Sequence, residues 1–403
     1  MDRLEFLKRA SAFGLGSALL PSFLTACETT THSLPGEFDV YFDGKVIIIG
    51  AGAAGLTAGH VLNQHGIDFT ILEAAPQIGG RMRETSTFAD FSVDLGAEWI
   101  HTDPSILARM LNDPDSTAEV DIINYRPQEI YAWINGKLRR RNWVSHIYAE
   151  HKFKSSGWFD FFNTHIVPGI ADRIQVQSPV AGIDYRQNLV RVETGIGQVF
   201  EASRVILTVP VPILQDNDIR FLPEFPQEKI DAINEVDMPG GLKIFFEFDD
   251  KFYPDIVYDG SFIANEFNSD SGEKIYYDAA FRKDSNRNIF ALFTVGDKSD
   301  EYTSLQNDQA IADAALAELD EFFDGKASRH YVKHIVQNWS AEPFIRGSYT
   351  HDTSSDIQRT LRRPIENKIF FAGETYAEDW ATVHGAAMSA YDAVEEILAN
   401  REA

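Results

Sequence analysis

The sequence predicts an α/β protein long enough for two units, one of them built on a parallel sheet. Two observations predict that sheet. A continuous apolar run, Val46 to Ile49, reads as a strand buried on both faces. Three closely spaced glycines follow at once, and then a helical pattern through Leu56, Val61 and Leu62. A third observation marks a strand much further along the chain. In "GGLKIFFEFDDKF", residues 240–252, Leu242, Ile244, Phe246 and Phe248 alternate with Lys243, Phe245 and Glu247 as in a half-buried strand. The 403 residues suffice for both units.

In chain order, the first element is a leader. A short charged start precedes an apolar run from about Ala12 to Ala26, too short for a typical membrane span, so it reads as a secretory signal. Its end, "LTAC", resembles the bacterial lipoprotein signal, with Cys27 the residue that would be lipidated. "RLEFLK" resembles the twin-arginine export signal but carries Leu4 in place of the second arginine. The expectation is a signal over 1–27, a polar tether over 28–43 and a lipid-anchored protein of the bacterial cell envelope. Cys27 is the sole cysteine, so no internal disulfide forms. The net charge of −25 opposes nucleic acid and suits cationic partners.

The next element is the most informative. In Gly50-x-Gly52-x-x-Gly55, Gly50 makes the tight turn, Gly52 lets the backbone approach a pyrophosphate, and Gly55 permits close helix packing. Ala53 and Ala54 open the helix that faces the anion. A second strand, Phe69 to Leu72, ends at Glu73, 23 residues after Gly50, where an acid can accept from ribose hydroxyls, with Ala74 beside it. Together these form a Rossmann-like dinucleotide fingerprint that disfavours a 2′-phosphate and leaves NAD and FAD both open. Gly79-Gly80-Arg81 adds flexible backbone and a cation suited to phosphate.

In the second unit, Asn135-Gly136 and residues 193–202 carry hairpin signals. Ile311, Ala315, Leu316, Leu319 and Phe322 give residues 308–323 a helical face. On the residues alone, Lys243 belongs to the wet face of its strand. No zinc-type Cys/His cluster is present.

Several blocks then resemble the flavin-dependent amine oxidases (monoamine oxidases, polyamine oxidases and lysine-specific histone demethylases), over about residues 44–400. They are "GGR", "DLGAEWIH" from Asp94 to His101, "SRVILTVPVPIL" from Ser203 to Leu214, "NWSAEPFIRGSYTHD", and "IFFAGETYAEDWATVHGAAMSAYDAVEEIL". "ATVHGA" is closer to polyamine oxidases and the demethylases than to monoamine oxidases. The resemblance implies an amine oxidase fold. A Rossmann-like FAD-binding domain (44–101, 176–215, 330–400) would be interleaved with an α+β substrate domain (102–175, 216–329). It implies that Gly96, Ala97, Glu98 and Trp99 lie along the flavin and that Gly373 and Glu374 hold ribityl and phosphate groups. Thr382 and Val383 would lie against the flavin ring, with Val180, Val209 and Trp339 completing the cofactor set. Lys243 would hold a water beside the reactive flavin nitrogen, so its strand face would be a cavity wall. Tyr349 would form one wall of an aromatic cage, with Thr382 where monoamine oxidases have the second tyrosine. The implied catalytic set is Lys243, Tyr349, Trp339 and Thr382; His101 and His384 matter only through the resemblance. Ser348 replaces the cysteine that carries covalent flavin in monoamine oxidases, so FAD should be noncovalent. The implied reaction oxidises an amine, polyamines foremost, to an imine, with dioxygen reduced to peroxide. Two alternatives stand beside it. One is an L-amino-acid oxidase, needing an arginine such as Arg346 or Arg282; the other is a flavin-binding envelope protein without amine chemistry.

Overall fold

A computed structural model describes residues 42–113, 120–141, 150–260, 272–351 and 353–399. The signal, Cys27 and nearly all of the tether lie outside the described residues. Val46–Ile49 is the centre of a five-stranded, all-parallel sheet in the order Ile174–Gln175, Phe69–Leu72, Val46–Ile49, Arg204–Leu207, Ile369–Phe371. The three inner strands are buried along their whole length, which is why they read as apolar runs rather than alternations. Val46 and Ile48 pack into one core with helices Ala53–Gln64 and Val383–Ala399, while Ile47 and Ile49 pack into a second core on the opposite face. The order runs outward in both directions from Val46–Ile49, so the crevice at its C-terminal end is a topological switch point, where open α/β sheets bind ligands.

The second unit is a seven-stranded sheet in the order Tyr331–Asn338, Gly241–Phe248, Asn288–Val295, Glu273–Asp278, Ile256–Asp259, Ile130–Trp133, Leu138–Arg140. Helix Asp308–Phe323 covers one face, its start capped by the Asn307 side chain accepting from the Ala310 amide at 3.0 Å. Asn135 and Gly136 take φ of 51° and 69° in the predicted two-residue turn. The predicted hairpin at 193–202 joins Val190–Thr194 to Val199–Ala202.

The strand Gly241–Phe248 is not half-buried. All eight residues are buried, because it is paired on both sides and covered on both faces. Leu242, Ile244, Phe246 and Phe248 meet the helix core; Phe245 enters a separate core. The sequence-based boundaries also shift. Tyr331–Asn338, placed with the FAD domain from 330, pairs with Gly241–Phe248, and the parallel sheet resumes only at Ile369. Within 102–175, helices Ile106–Leu111 and Trp158–His165 pack on the parallel sheet, and Ile174–Gln175 joins it. Contiguity along the chain could not reveal which apolar face those helices cover. No helix among the described residues is long and apolar enough to cross a membrane.

Candidate active site

A cavity of about 830 Å³ is lined both by the switch-point loops and by the face of the seven-stranded sheet opposite helix Asp308–Phe323. Gly50, with φ 107°, turns the chain out of its strand, and its amide donates to the Leu72 carbonyl at 2.8 Å. A Cβ on Gly52 would meet nothing within 4 Å, so this backbone stands open to a ligand. Gly55 alone among the predicted cofactor residues does not line the cavity; it backs onto the Gly50 carbonyl, holding the helix against the turn. Glu73 accepts from the Ala51 amide at 2.6 Å and the Ala75 amide at 2.8 Å, clamping the two switch-point loops together. Burial pushes its carboxyl up, and those amides oppose the shift. A carboxylate has lone pairs beyond these two bonds, so a ribose contact stays compatible with the clamp.

Ala53, Ala54, Ala74, Gly80, Val180 and Val209 line the same cavity. Arg81 lines it too, but its guanidinium donates to the Ser348 carbonyl at 2.7 Å and pairs with Glu374 at 3.1 Å. The cation read from sequence as suited to phosphate is thus held by protein partners at the cavity edge. Glu374 also accepts from the Thr350 hydroxyl at 2.6 Å and the Ala381 amide at 3.2 Å, so it ties three segments together around Gly373. Thr382 is a helix cap: its hydroxyl accepts from the Gly385 amide at 3.0 Å and donates to the Asp379 carbonyl at 2.6 Å. That commits the hydroxyl assigned to catalysis and presents the first turn at Val383 to the cavity. His384, also lining it, is buried and held neutral by that burial, with a pKa pushed down to about 3; His101 sits 3.4 Å from Glu150.

The opposite wall follows from strand register. Gly241 lies beside Val295 and Val295 beside Glu273; Lys243 lies beside Phe293 and Phe293 beside Ile275. Alternation puts all six, with Tyr277, on one face, and all line the cavity. Phe293 stacks on Tyr349 with ring centroids 6.4 Å apart and planes at 9°. Trp99 meets Tyr277 edge-on at 4.9 Å. Trp339 is fixed by its indole N–H donating to the Leu95 carbonyl at 3.1 Å, with the Arg83 guanidinium 5.1 Å over its ring. Gly96 and Ala97 bring that segment against Arg81 and Arg83 through backbone bonds of 3.1 Å.

Lys243 is 4% exposed and donates to Glu98 Oε2 at 2.7 Å and to the Asp94 carbonyl at 3.1 Å. Burial lowers its pKa, and Glu98 opposes that. Glu98, predicted as a flavin neighbour, is a buried counter-ion that also pairs with Lys152 and accepts from Tyr277. Burial would raise its carboxyl, but the two ammoniums hold it down at about 2. Ser348 donates its hydroxyl to the Pro239 carbonyl at 2.9 Å, and no thiol lies among the described residues. Arg346 is bound to Asp216 and Asp218, and Arg282 is exposed; neither lines the cavity. Glu273, Ile275, Tyr277, Phe293 and Lys152 went unread in the sequence. Alternation in Asn288–Val295 could have offered Phe293, but Lys152 lies in a segment with no distinguishing pattern.

The chain matches the family model for flavin-containing amine oxidoreductases over residues 169–398, and a Rossmann-like NAD(P)-binding domain over 48–113. It is 26% identical to lysine-specific histone demethylase 2 of Homo sapiens, across 89% of this chain and 54% of that protein. It therefore spans about half the length of that relative. It is 25% identical to polyamine oxidase 3 of Oryza sativa subsp. japonica, across 87% of this chain and 88% of the relative. Among solved structures, putrescine oxidase bound to putrescine aligns with a TM-score of 0.72 at 16% identity, covering 89% of this chain and all of that one. Cyclohexylamine oxidase from Brevibacterium oxydans IH-35A aligns at 0.70, also at 16% identity, covering 89% of this chain and 99% of that one.

Proposed function

Because the chain belongs to the flavin-containing amine oxidoreductases, we propose that it oxidises a small di- or polyamine to an imine with noncovalent FAD, dioxygen being reduced to hydrogen peroxide. The residues fit that cofactor. Open backbone at Gly52, the Glu73 carboxylate and the first turn at Val383 face one cavity, at the upper end of the roughly 300–1,000 Å³ typical of ligand sites. FAD supplies the hydride acceptor when bound. The chain's own part is to orient and desolvate the amine. Tyr349 and Phe293 offer parallel aromatic faces, and their apolar surroundings favour the neutral amine for the reason burial favours neutral Lys243. Lys243 commits two donors to Glu98 and Asp94, and its remaining position, an N–H when charged or a lone pair when neutral, is left for a water in the cavity.

The observation that carries the substrate class is Glu273. It shares the cavity face with Lys243, two strands across and one row on, about 12 Å away by sheet spacing. An amine reacting beside Lys243 can rest a second ammonium there, with Phe293 and Val295 between. The polyamine oxidases among the relatives and the −25 charge support this reading. Arg346 and Arg282, the arginines considered for a carboxylate clamp, do not line the cavity, and the two that do, Arg81 and Arg83, are paired with Glu374 and Glu342, which disfavours amino acids. Peroxide formation with putrescine, spermidine, a monoamine and common L-amino acids tests it. Glu273→Gln should raise KM for the diamine about 10-fold and leave the monoamine alone. Faster oxidation of an L-amino acid than of either polyamine rejects the assignment.

Ser348 in place of a cysteine supports noncovalent attachment. Acid precipitation should leave all the flavin in the supernatant; colour on the pellet refutes this. The leader supports export and lipidation at Cys27, with two or more acyl chains for stable anchoring. Cys27→Ser should abolish processing, and unchanged mass and membrane fractionation would reject that assignment.

A further inference from the structure

Beneath the cavity wall lies a charged layer that amine oxidation as described does not use. Lys152, on strand Glu150–Phe153 directly opposite Trp99, does not line the cavity. Its side chain is 2% exposed, with Nζ 4.9–5.1 Å from the ring centres of Trp99, Tyr125 and Tyr277. It pairs with Glu98 Oε1, while Lys243 holds Oε2 of the same carboxylate at 2.7 Å. One glutamate thus bridges a lysine in the cavity and a lysine behind it. A buried ammonium is costly unless its charge is matched, and two of them on one carboxylate leave the layer short of negative charge. The other titratable groups around it are Asp94, Lys283, whose amine donates to the Ser92 carbonyl at 3.3 Å, and the neutral phenols of Tyr277 and Tyr125. Across strand Tyr331–Asn338, Gln337 sits beside Lys243 and carries the Arg83–Glu342 pair.

We propose that Lys152 is a positioning residue for amine oxidation, acting through Glu98 to fix where the Lys243 amine points and how firmly it keeps its proton. This rests on the amine-oxidase reading of the cavity for its consequence, but not for its geometry. The two partners act with opposite signs. The Lys152 charge repels a proton on Lys243, whereas the Glu98 charge attracts one. Removing Lys152 should strengthen Lys243's hold on its proton, and removing the Glu98 charge should weaken it. A packing defect has no reason to produce opposite movements.

The test is trace acetylation of the resting holoenzyme across pH, with labelling of the Lys243 peptide read by mass spectrometry, alongside the pH profile of putrescine turnover. The labelling midpoint should move up by about one pH unit or more in Lys152→Met, and down by at least that much in Glu98→Gln. Lys152→Arg should lie near wild type. If Glu98→Gln does not fold, Glu98→Asp should give a smaller downward shift. Midpoints that stay put, or move together in both variants, overturn the proposal. Labelling needs no turnover, so inactivity toward every amine would reject the functional reading while the midpoints still decide the role of Lys152.

Discussion

The two ends of the cavity each bury a glutamate and use it in opposite ways. Glu73 faces backbone: amides of Ala51 and Ala75 hold it, and burial raises its pKa. Glu98 faces side chains: Lys152, Lys243 and Tyr277 converge on it, and the ammoniums hold it at about 2. At the first end one contiguous stretch supplies the open backbone of Gly52 and the Glu73 clamp, with Val180, Val209 and the helix start at Val383 completing the lining. The second is made by residues 98–99, 243 and 273–277, with Lys152 behind them, which meet only in the folded protein. A local turn can place a phosphate, whereas placing a proton-holding amine takes long-range register.

The sharpest way to break that contrast is Lys243→Met. If Lys243 holds a water and moves protons in the cavity, amine oxidation should slow by roughly 10²- to 10⁴-fold. FAD content should stay near wild type, since no bond of Lys243 reaches the dinucleotide end. Stopped-flow measurement of both half-reactions checks this. Unchanged rates in FAD-replete protein would return the lysine to a purely structural role, and loss of FAD would erase the division between the two ends.

The complementary change is Glu73→Gln. It leaves an acceptor for one loop amide and sets an NH₂ group toward the other, so the clamp between Ala51 and Ala75 weakens. Bonds to a charged acceptor contribute about 1.5–3 kcal/mol, so FAD affinity should fall roughly 10- to 100-fold. At saturating FAD, kcat should remain within a few-fold of wild type. Flavin fluorescence titration of the apoprotein gives the affinity. A kcat defect with unchanged affinity would show that Glu73 serves the chemistry.

The same contrast explains what could be read before folding. The parallel sheet, the glycine turn and the helix 308–323 were legible because each is a local pattern with its own periodicity. Lys243 was ambiguous because alternation marks a face without saying what covers it; here the cover is a cavity and not water. Glu98 and Arg81 line the cavity, but their ion pairs to Lys152 and Glu374 span 54 and 293 residues of chain and have no local pattern to announce them. Glu273 and Phe293 became visible only through strand register.

Thr382 offers the smallest effect and the finest discrimination. By resemblance it lies against the flavin and belongs with the catalytic residues. In the structure its hydroxyl is occupied on both sides, accepting from Gly385 and donating to the Asp379 carbonyl, at the start of helix Val383–Ala399. A cap of this kind contributes about 0.5–2 kcal/mol. Thr382→Ala should therefore lower the thermal midpoint by a few degrees. Thr382→Ser, which keeps the hydroxyl, should recover most of the loss. Turnover of the folded Thr382→Ala enzyme should change by less than about 10-fold, because the helix start still faces the cavity through backbone. Differential scanning fluorimetry beside steady-state kinetics separates the roles. A fall of 100-fold or more at an unchanged midpoint would make Thr382 a catalytic residue, and side-chain chemistry would then extend to the helix-start wall of the cavity.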